Sequence, residues 1–247
     1  MLGVRRKVKL RDVHNLVAGD AARRFDFVNK AGGAAEIYIY GPIGEDFFGE
    51  GISAKNFAKE LKALGKVSSI DLHIDSPGGS VTDARAIYTQ LVEHRAEINV
   101  RIDGYAASAA SFIAMAGDEI AIAEGGFMMI HEARGVVRGT AGDLRKAATL
   151  LDSINATIAD TYVARSKQTK KKVLGWMADE TWFDGRDAVA SGFADRILEN
   201  KKLTACVSYP DDVLAQANFR KVPANLRPRA VRRRQVVEAA RKVLEDA

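Results

Sequence analysis

Apolar and polar positions alternate over residues 36–40, E-I-Y-I-Y, which predicts a strand that ends at Gly41-Pro42. Phe57, Leu61 and Leu64 then fall at i, i+4 and i+7, predicting an amphipathic helix over residues 53–64 with Ser53 as its cap and Gly65 as its stop. Ile70, Leu72 and Ile74 return to the two-residue period of a strand. A second helix fits residues 81–93, a strand begins at Asn99, and a third helix built of small residues fits residues 108–116. Strands and helices alternating in short units predict an α/β domain with sequential crossovers.

Two short apolar segments follow at residues 119–123 and 127–130. Thr140 then caps a long helix running to Arg165, with Leu144, Ala148, Leu151, Ile158 and Tyr162 as its apolar stripe. Such a stripe suits a core or a contact between subunits. The basic run Lys170-Lys171-Lys172 leads into a segment carrying Trp176, and D-E-T-W-F over residues 179–183 reads as a return strand. A short helix closed by Gly192 and a last strand over residues 194–198 complete the regular part. Residues 1–33 are irregular and charged, and A-G-G-A-A at residues 31–35 reads as a hinge. Beyond Asn200, Pro210, Pro223 and Pro228 punctuate the chain, and residues 229–244 suit a charged helix. The expected organisation is an N-terminal extension (1–34), one domain (35–200) and a basic C-terminal extension (201–247).

Composition narrows the chemistry. A chain of 247 residues, 47% hydrophobic, is long enough for one full core. The single cysteine, Cys206, has no disulfide partner, and the four histidines lack the spacing of a zinc site, so neither metal nor organic cofactor is expected. There is no apolar run of membrane-spanning length and no hydrophobic leader after the initial charges, which predicts a cytoplasmic protein with no membrane partner. The net charge of +5 resides in the tail, where residues 220–247 hold nine Lys/Arg against three Asp/Glu. A solvated tail fits this, as does binding to an acidic protein or nucleic acid, although no aromatic residues interleave as stacking platforms.

The run D-G-Y-A-A-S-A-A-S over residues 103–111, with S-P-G-G-S before it and M-I-H after it, contains the parts of a serine hydrolase. A serine needs a general base, and donors for the developing oxyanion. Ser108 follows a strand and a tight turn and opens a small-residue helix, where the N–H of Ala109 is available as an oxyanion donor and the helix dipole is positive. Ser111, one turn later, is the rival nucleophile, but inside a helix it is expected to bond back to a carbonyl. Gly79, in a strand-to-helix turn, is the second candidate donor. His131 ends an apolar strand and is the candidate base; His14, His73 and His94 read as surface residues. G-E-G-I-S-A from Gly49 lacks the preceding strand of a dinucleotide fingerprint.

Taken together, D-S-P-G-G-S-V-T, G-Y-A-A-S-A-A-S, M-I-H and W-F-D-G-R-D-A-V-A-S-G-F-A-D resemble the ClpP family of serine peptidases in order and spacing, over about residues 35–198. The resemblance implies the ClpP/crotonase-like fold: a spiral of repeated β-β-α units with a protruding handle helix, here residues 140–165. It implies homo-oligomeric rings, heptamers or stacked rings, acting on peptide or protein substrates. Ser108 takes the nucleophile position, His131 the base position, and Gly79 and Ala109 the oxyanion positions. At the third triad position, where the family usually has aspartate, this chain has Thr181. Threonine can accept a hydrogen bond from His131 but brings no charge. A local shift would let Asp179 or Glu180 reach in instead; strand alternation ranks Asp179 ahead, because it puts Asp179 on the face of Thr181 and turns Glu180 away.

The extensions, including F-R-K-V-P-A-N-L-R-P from Phe219, resemble the phage and prophage head maturation branch, whose partners would be capsid or scaffold proteins; an ATPase partner is left open. Two other classes stand beside the peptidase. One is a catalytically weak ring-forming assembly protein that binds acidic partners through its tail. The other is an acyl-CoA enzyme of the crotonase type, against which the pairing of Ser108 with His131 argues.

Overall fold

The computed structural model describes residues 24–44, 51–198, 217, 219–223 and 226. Most of the predicted extensions, with Cys206, His14 and the charged helix over residues 229–244, lie outside the described residues.

Among the described residues, eight strands and six α-helices build a mixed α/β fold around a mostly parallel sheet. The order is β1 (Arg24–Asn29), β2 (Ala34–Tyr40), β3 (Ser69–Ser76), β4 (Glu97–Ala107), β5 (Glu119–Ala123) and β8 (Arg196–Leu198). Beside this path β6 (Phe127–Ile130) pairs with both β4 and β7 (Thr181–Asp184). The crossover helices are α1 (Ala54–Ala63), α2 (Val81–Val92) and α3 (Ala109–Ala114), and the later ones are α4 (Ala141–Ser166), α5 (Lys170–Ala178) and α6 (Gly185–Ala190). The α/β architecture expected from the alternating pattern is therefore the one observed.

The alternation in each central strand puts one side-chain set under the helices. Ile37 and Ile39, Ile70, Leu72 and Ile74, Ile98, Val100 and Ile102, and Ile120 and Ile122 are all buried. Helix starts follow from local chemistry. Ser53 accepts from the N–H of Asn56, Ser80 from that of Asp83, and Thr140 and Asp143 form a reciprocal capping box.

Three elements differ from expectation. Residues 24–29 form β1, antiparallel to β2, where an irregular segment was expected. Phe25 stacks on Phe57 of α1 at 6.2 Å and Phe27 meets it edge-on at 5.2 Å, and this packing holds a strand that the surrounding charges obscure. The segment with Trp176 is a helix, capped by Thr169. The return strand starts only at Thr181, because Asp179 is the C-cap of α5 and Glu180 takes a left-handed φ of 51°.

His73 also departs from the surface role expected of it. Its Nδ1 lies 2.6 Å from the Asp103 carboxylate and its ring stacks on Tyr38. By contrast, the first half of α4 projects from the body with Leu144 and Leu150 exposed, while Ile158 and Tyr162 near its end are buried. No helix among the described residues is long and apolar enough to cross a membrane.

Candidate active site

The site arises where β4 changes partner. Asn99–Ile102 pair with β5, whereas Tyr105–Ala107 pair with β6. Between these halves the register against β3 slips, from Ile74 opposite Ile102 to Ser76 opposite Ala106. The buried carboxylate of Asp75 accepts the Tyr105 N–H at 3.1 Å, and a Cβ on Gly104 would lie 2.5 Å from the same carboxylate. The bulge re-aims the end of the strand, which is where bulges are commonly found near active sites.

Immediately after this strand, Ser108 has φ 54° and ψ −124°, a conformation that costs an L-residue on the order of 1–3 kcal/mol. Several contacts hold it there. Its N–H donates to the Met129 carbonyl at 2.9 Å, and its own carbonyl accepts from the Ser111 hydroxyl at 2.6 Å. Ser111 also meets the buried Tyr162 hydroxyl at 2.8 Å. The back-bonding expected of Ser111 is thus present, and the rival serine serves as a support for Ser108. Gly78 packs against the same turn, since a Cβ on it would lie 2.5 Å from the Ala107 carbonyl and 2.8 Å from the Ala109 nitrogen.

Gly79 has φ 147°, and a Cβ there would strike the Ile43 carbonyl at 2.1 Å. Among the described residues no acceptor takes the N–H of Gly79 or of Ala109. Both line a cleft of about 330 Å³ together with Ser108, His131, Phe112 and Phe219.

His131 follows β6 directly, and its Nε2 lies 2.7 Å from the Ser108 hydroxyl. Past it, the Ala133 N–H donates to the buried Asn155 side chain of α4 at 2.8 Å, tying this loop to the handle. Burial lowers the imidazole to about 4; the Arg134 and Arg220 guanidiniums add to this, and the Glu180 carboxylate opposes it. If Nε2 accepts the serine proton, Nδ1 carries the ring hydrogen. That nitrogen is buried and has no partner among the described residues.

The predicted third member does not reach it. The Thr181 hydroxyl donates to the Trp176 carbonyl at 2.8 Å. Asp179 is exposed, with Lys221 Nζ 3.6 Å away. Glu180, expected to point outward, is the buried member of the three, because its left-handed backbone breaks the alternation before the strand begins. Its carboxylate pairs with Arg134, accepts the Lys221 N–H at 2.7 Å and lies 3.7 Å from Arg220 Nε. Burial alone would raise this carboxyl, but those donors hold it below the ordinary carboxylate range.

Sequence reasoning turned Glu180 outward and missed Arg134 and Phe219. The Phe219 ring stands edge-on to His131 and to Trp182, each at 5.7 Å. Among the described residues no cluster of His, Cys, Asp and Glu could hold a metal. The arrangement can activate a hydroxyl nucleophile beside two backbone N–H donors. The family model described as Clp protease matches residues 19–201.

Proposed function

Because the chain belongs to the Clp protease family, we propose that it is a serine endopeptidase of ClpP type in which Ser108 is the nucleophile and His131 the general base. The observation that carries this reading is the 2.7 Å contact of Ser108 Oγ with His131 Nε2 at a strained turn. In this mechanism Oγ attacks the scissile carbonyl as Nε2 takes its proton, and the N–H groups of Gly79 and Ala109 stabilise the tetrahedral oxyanion. His131 then returns the proton to the leaving amine, and water hydrolyses the acyl-enzyme by the same route.

The substrate in this proposal is a capsid or scaffold precursor of a phage or prophage particle, as the likeness of the terminal extensions suggests. The working form is a ring of copies, for which the projecting half of α4, with exposed Leu144 and Leu150, provides an apolar contact. A fluorophosphonate probe tests the chemistry. Labelling of the full chain that Ser108→Ala abolishes is expected; no labelling, or equal labelling of the variant, overturns it.

A ring-forming assembly protein with weak or no catalysis is the second reading. The Nδ1 of His131, which has no partner among the described residues, favours it, since no counter-charge among them is bonded to the imidazolium formed in catalysis. Mass spectrometry of the protein incubated with a candidate precursor separates the two, because only the endopeptidase produces defined cuts.

A further inference from the structure

Strand β7 is antiparallel to β6, with Phe127 opposite Asp184 and Ile130 opposite Thr181. His131 and Glu180 are the residues that flank the last pair of this ladder, and although the left-handed Glu180 lies outside the strand, its buried carboxylate is near enough to act electrostatically on the imidazole. The ring's own Nδ1 is buried and has no partner among the described residues. The carboxylate is engaged elsewhere. Arg134 pairs with it from the loop after His131, and the segment Phe219–Lys221 adds Arg220 and the Lys221 N–H. The same short segment lays Phe219 against the His131 ring, inside the cleft that Ser108 lines.

We propose that Glu180 is the positioning carboxylate for His131, and that the C-terminal strap at Phe219–Lys221 keeps the site at rest by holding that carboxylate and filling the cleft. The inference rests on the assignment of Ser108 and His131 as nucleophile and base. When the strap lifts, Glu180 loses the Arg220 guanidinium and the N–H groups of Arg220 and Lys221 while keeping Arg134, and Phe219 leaves the ring face. The carboxylate then accepts the Nδ1 hydrogen, fixes the tautomer in which Nε2 is the base, and stabilises the imidazolium. A peptide entering the cleft has the same effect, because it competes for the place of Phe219. The charged groups acting on His131 are Arg134, Arg220 and Glu180, so removing Arg220 and freeing Glu180 both favour the protonated ring.

The test uses the full-length chain. Lys221→Pro removes one of the two strap N–H donors to Glu180, and Phe219→Ala empties the ring contact. In a Ser108→Ala background, the two together are expected to raise the His131 titration, read by NMR of the imidazole, by at least one pH unit; adding Glu180→Gln cancels the rise. In the Ser108 chain, fluorophosphonate labelling is expected to quicken at least tenfold with the strap variants. Glu180→Gln should return it to the starting rate, while Glu180→Asp keeps part of the gain. A merely structural Glu180 would lower stability without reversing the titration.

An unmoved titration, or a gain that survives Glu180→Gln, overturns the proposal and leaves the endopeptidase standing. A titration that responds as expected in a chain that never labels supports the pair and removes the endopeptidase reading.

Discussion

Ser108 and His131 meet through Oγ and Nε2 at 2.7 Å, while the far nitrogen of the same imidazole is buried with no partner among the described residues. Half of a relay is therefore assembled and half is not. The assembled half belongs to β4, β6 and the turn between β4 and α3, which the core holds rigidly. The other half depends on a short connection, Asp179–Glu180, that Arg134 and the strap residues pull in another direction.

The first prediction concerns the pH dependence of the nucleophile. General-base action requires the neutral imidazole, and burial with nearby guanidiniums depresses His131 to about 4. Fluorophosphonate labelling should therefore stay level from pH 8 down to about 5 and fall only near 4. Loss of labelling centred near pH 6.5, the ordinary histidine value, would show that the ring is not desolvated as the structure has it.

The same depression acts on stability with a definite sign. A folded-state value below the unfolded value means that the unfolded chain binds more protons as the pH falls, so stability is lost between about 6.5 and 4 and the loss is complete below. The full effect is about 3 kcal/mol at 1.36 kcal/mol per unit. Denaturant unfolding of the wild type and of His131→Asn at pH 7 and pH 4 reads it, since the variant lacks the group and shares the remaining titrations. An equal acid sensitivity of the two proteins would refute the assignment.

Gly79 supplies a third test. Its φ of 147° and the 2.1 Å approach of an added Cβ to the Ile43 carbonyl leave no room for alanine. Gly79→Ala must move the turn that carries the candidate oxyanion N–H, at a cost of about 2 kcal/mol or more. Reduced unfolding midpoints together with loss of labelling are expected. A stable variant that labels at the wild-type rate would remove Gly79 from the oxyanion hole.

Much of this architecture is readable from the chain because it is governed by local rules. The caps at Ser53 and Thr140 and the alternating apolar residues of β3 and β4 each follow from side-chain chemistry at short spacing, and the pairing of Ser108 with His131 follows from the order of the motifs around them. What escapes has nonlocal causes. Strand β1 is held by Phe25 and Phe27 against Phe57, some thirty residues away, and its own charges mask the alternation. The Glu180 position turns on one left-handed residue where α5 meets β7, and a period-two argument applied across that junction points the wrong side chain inward. Phe219 reaches the cleft from a proline-punctuated region with no periodicity to announce it.

Ser111 yields a fourth prediction. Its hydroxyl donates to the Ser108 carbonyl at 2.6 Å and meets Tyr162 at 2.8 Å, with every participant buried or nearly so. Ser111→Ala leaves the Tyr162 hydroxyl without this partner and should cost about 1–3 kcal/mol. Labelling at Ser108 should slow but persist. Complete loss of labelling in a folded Ser111→Ala protein would point to Ser111 as the nucleophile.

The strain at Ser108 provides the last prediction. With φ 54° and ψ −124° the residue sits where an L side chain is disfavoured and glycine is not. Ser108→Gly and Ser108→Ala both delete the hydroxyl and its contact with His131, so the difference between them isolates the backbone. Glycine in ordinary positions costs roughly 0.5–1 kcal/mol relative to alanine. Here the order should invert, with Ser108→Gly more stable than Ser108→Ala by about 1 kcal/mol, because the relief of 1–3 kcal/mol of strain exceeds the entropic loss. Chemical denaturation of the two variants at pH 7 measures this directly. An alanine variant as stable as the glycine one would mean that the turn relaxes once the hydroxyl is gone, and that the strain belongs to the Ser108–His131 contact rather than to the fold around it.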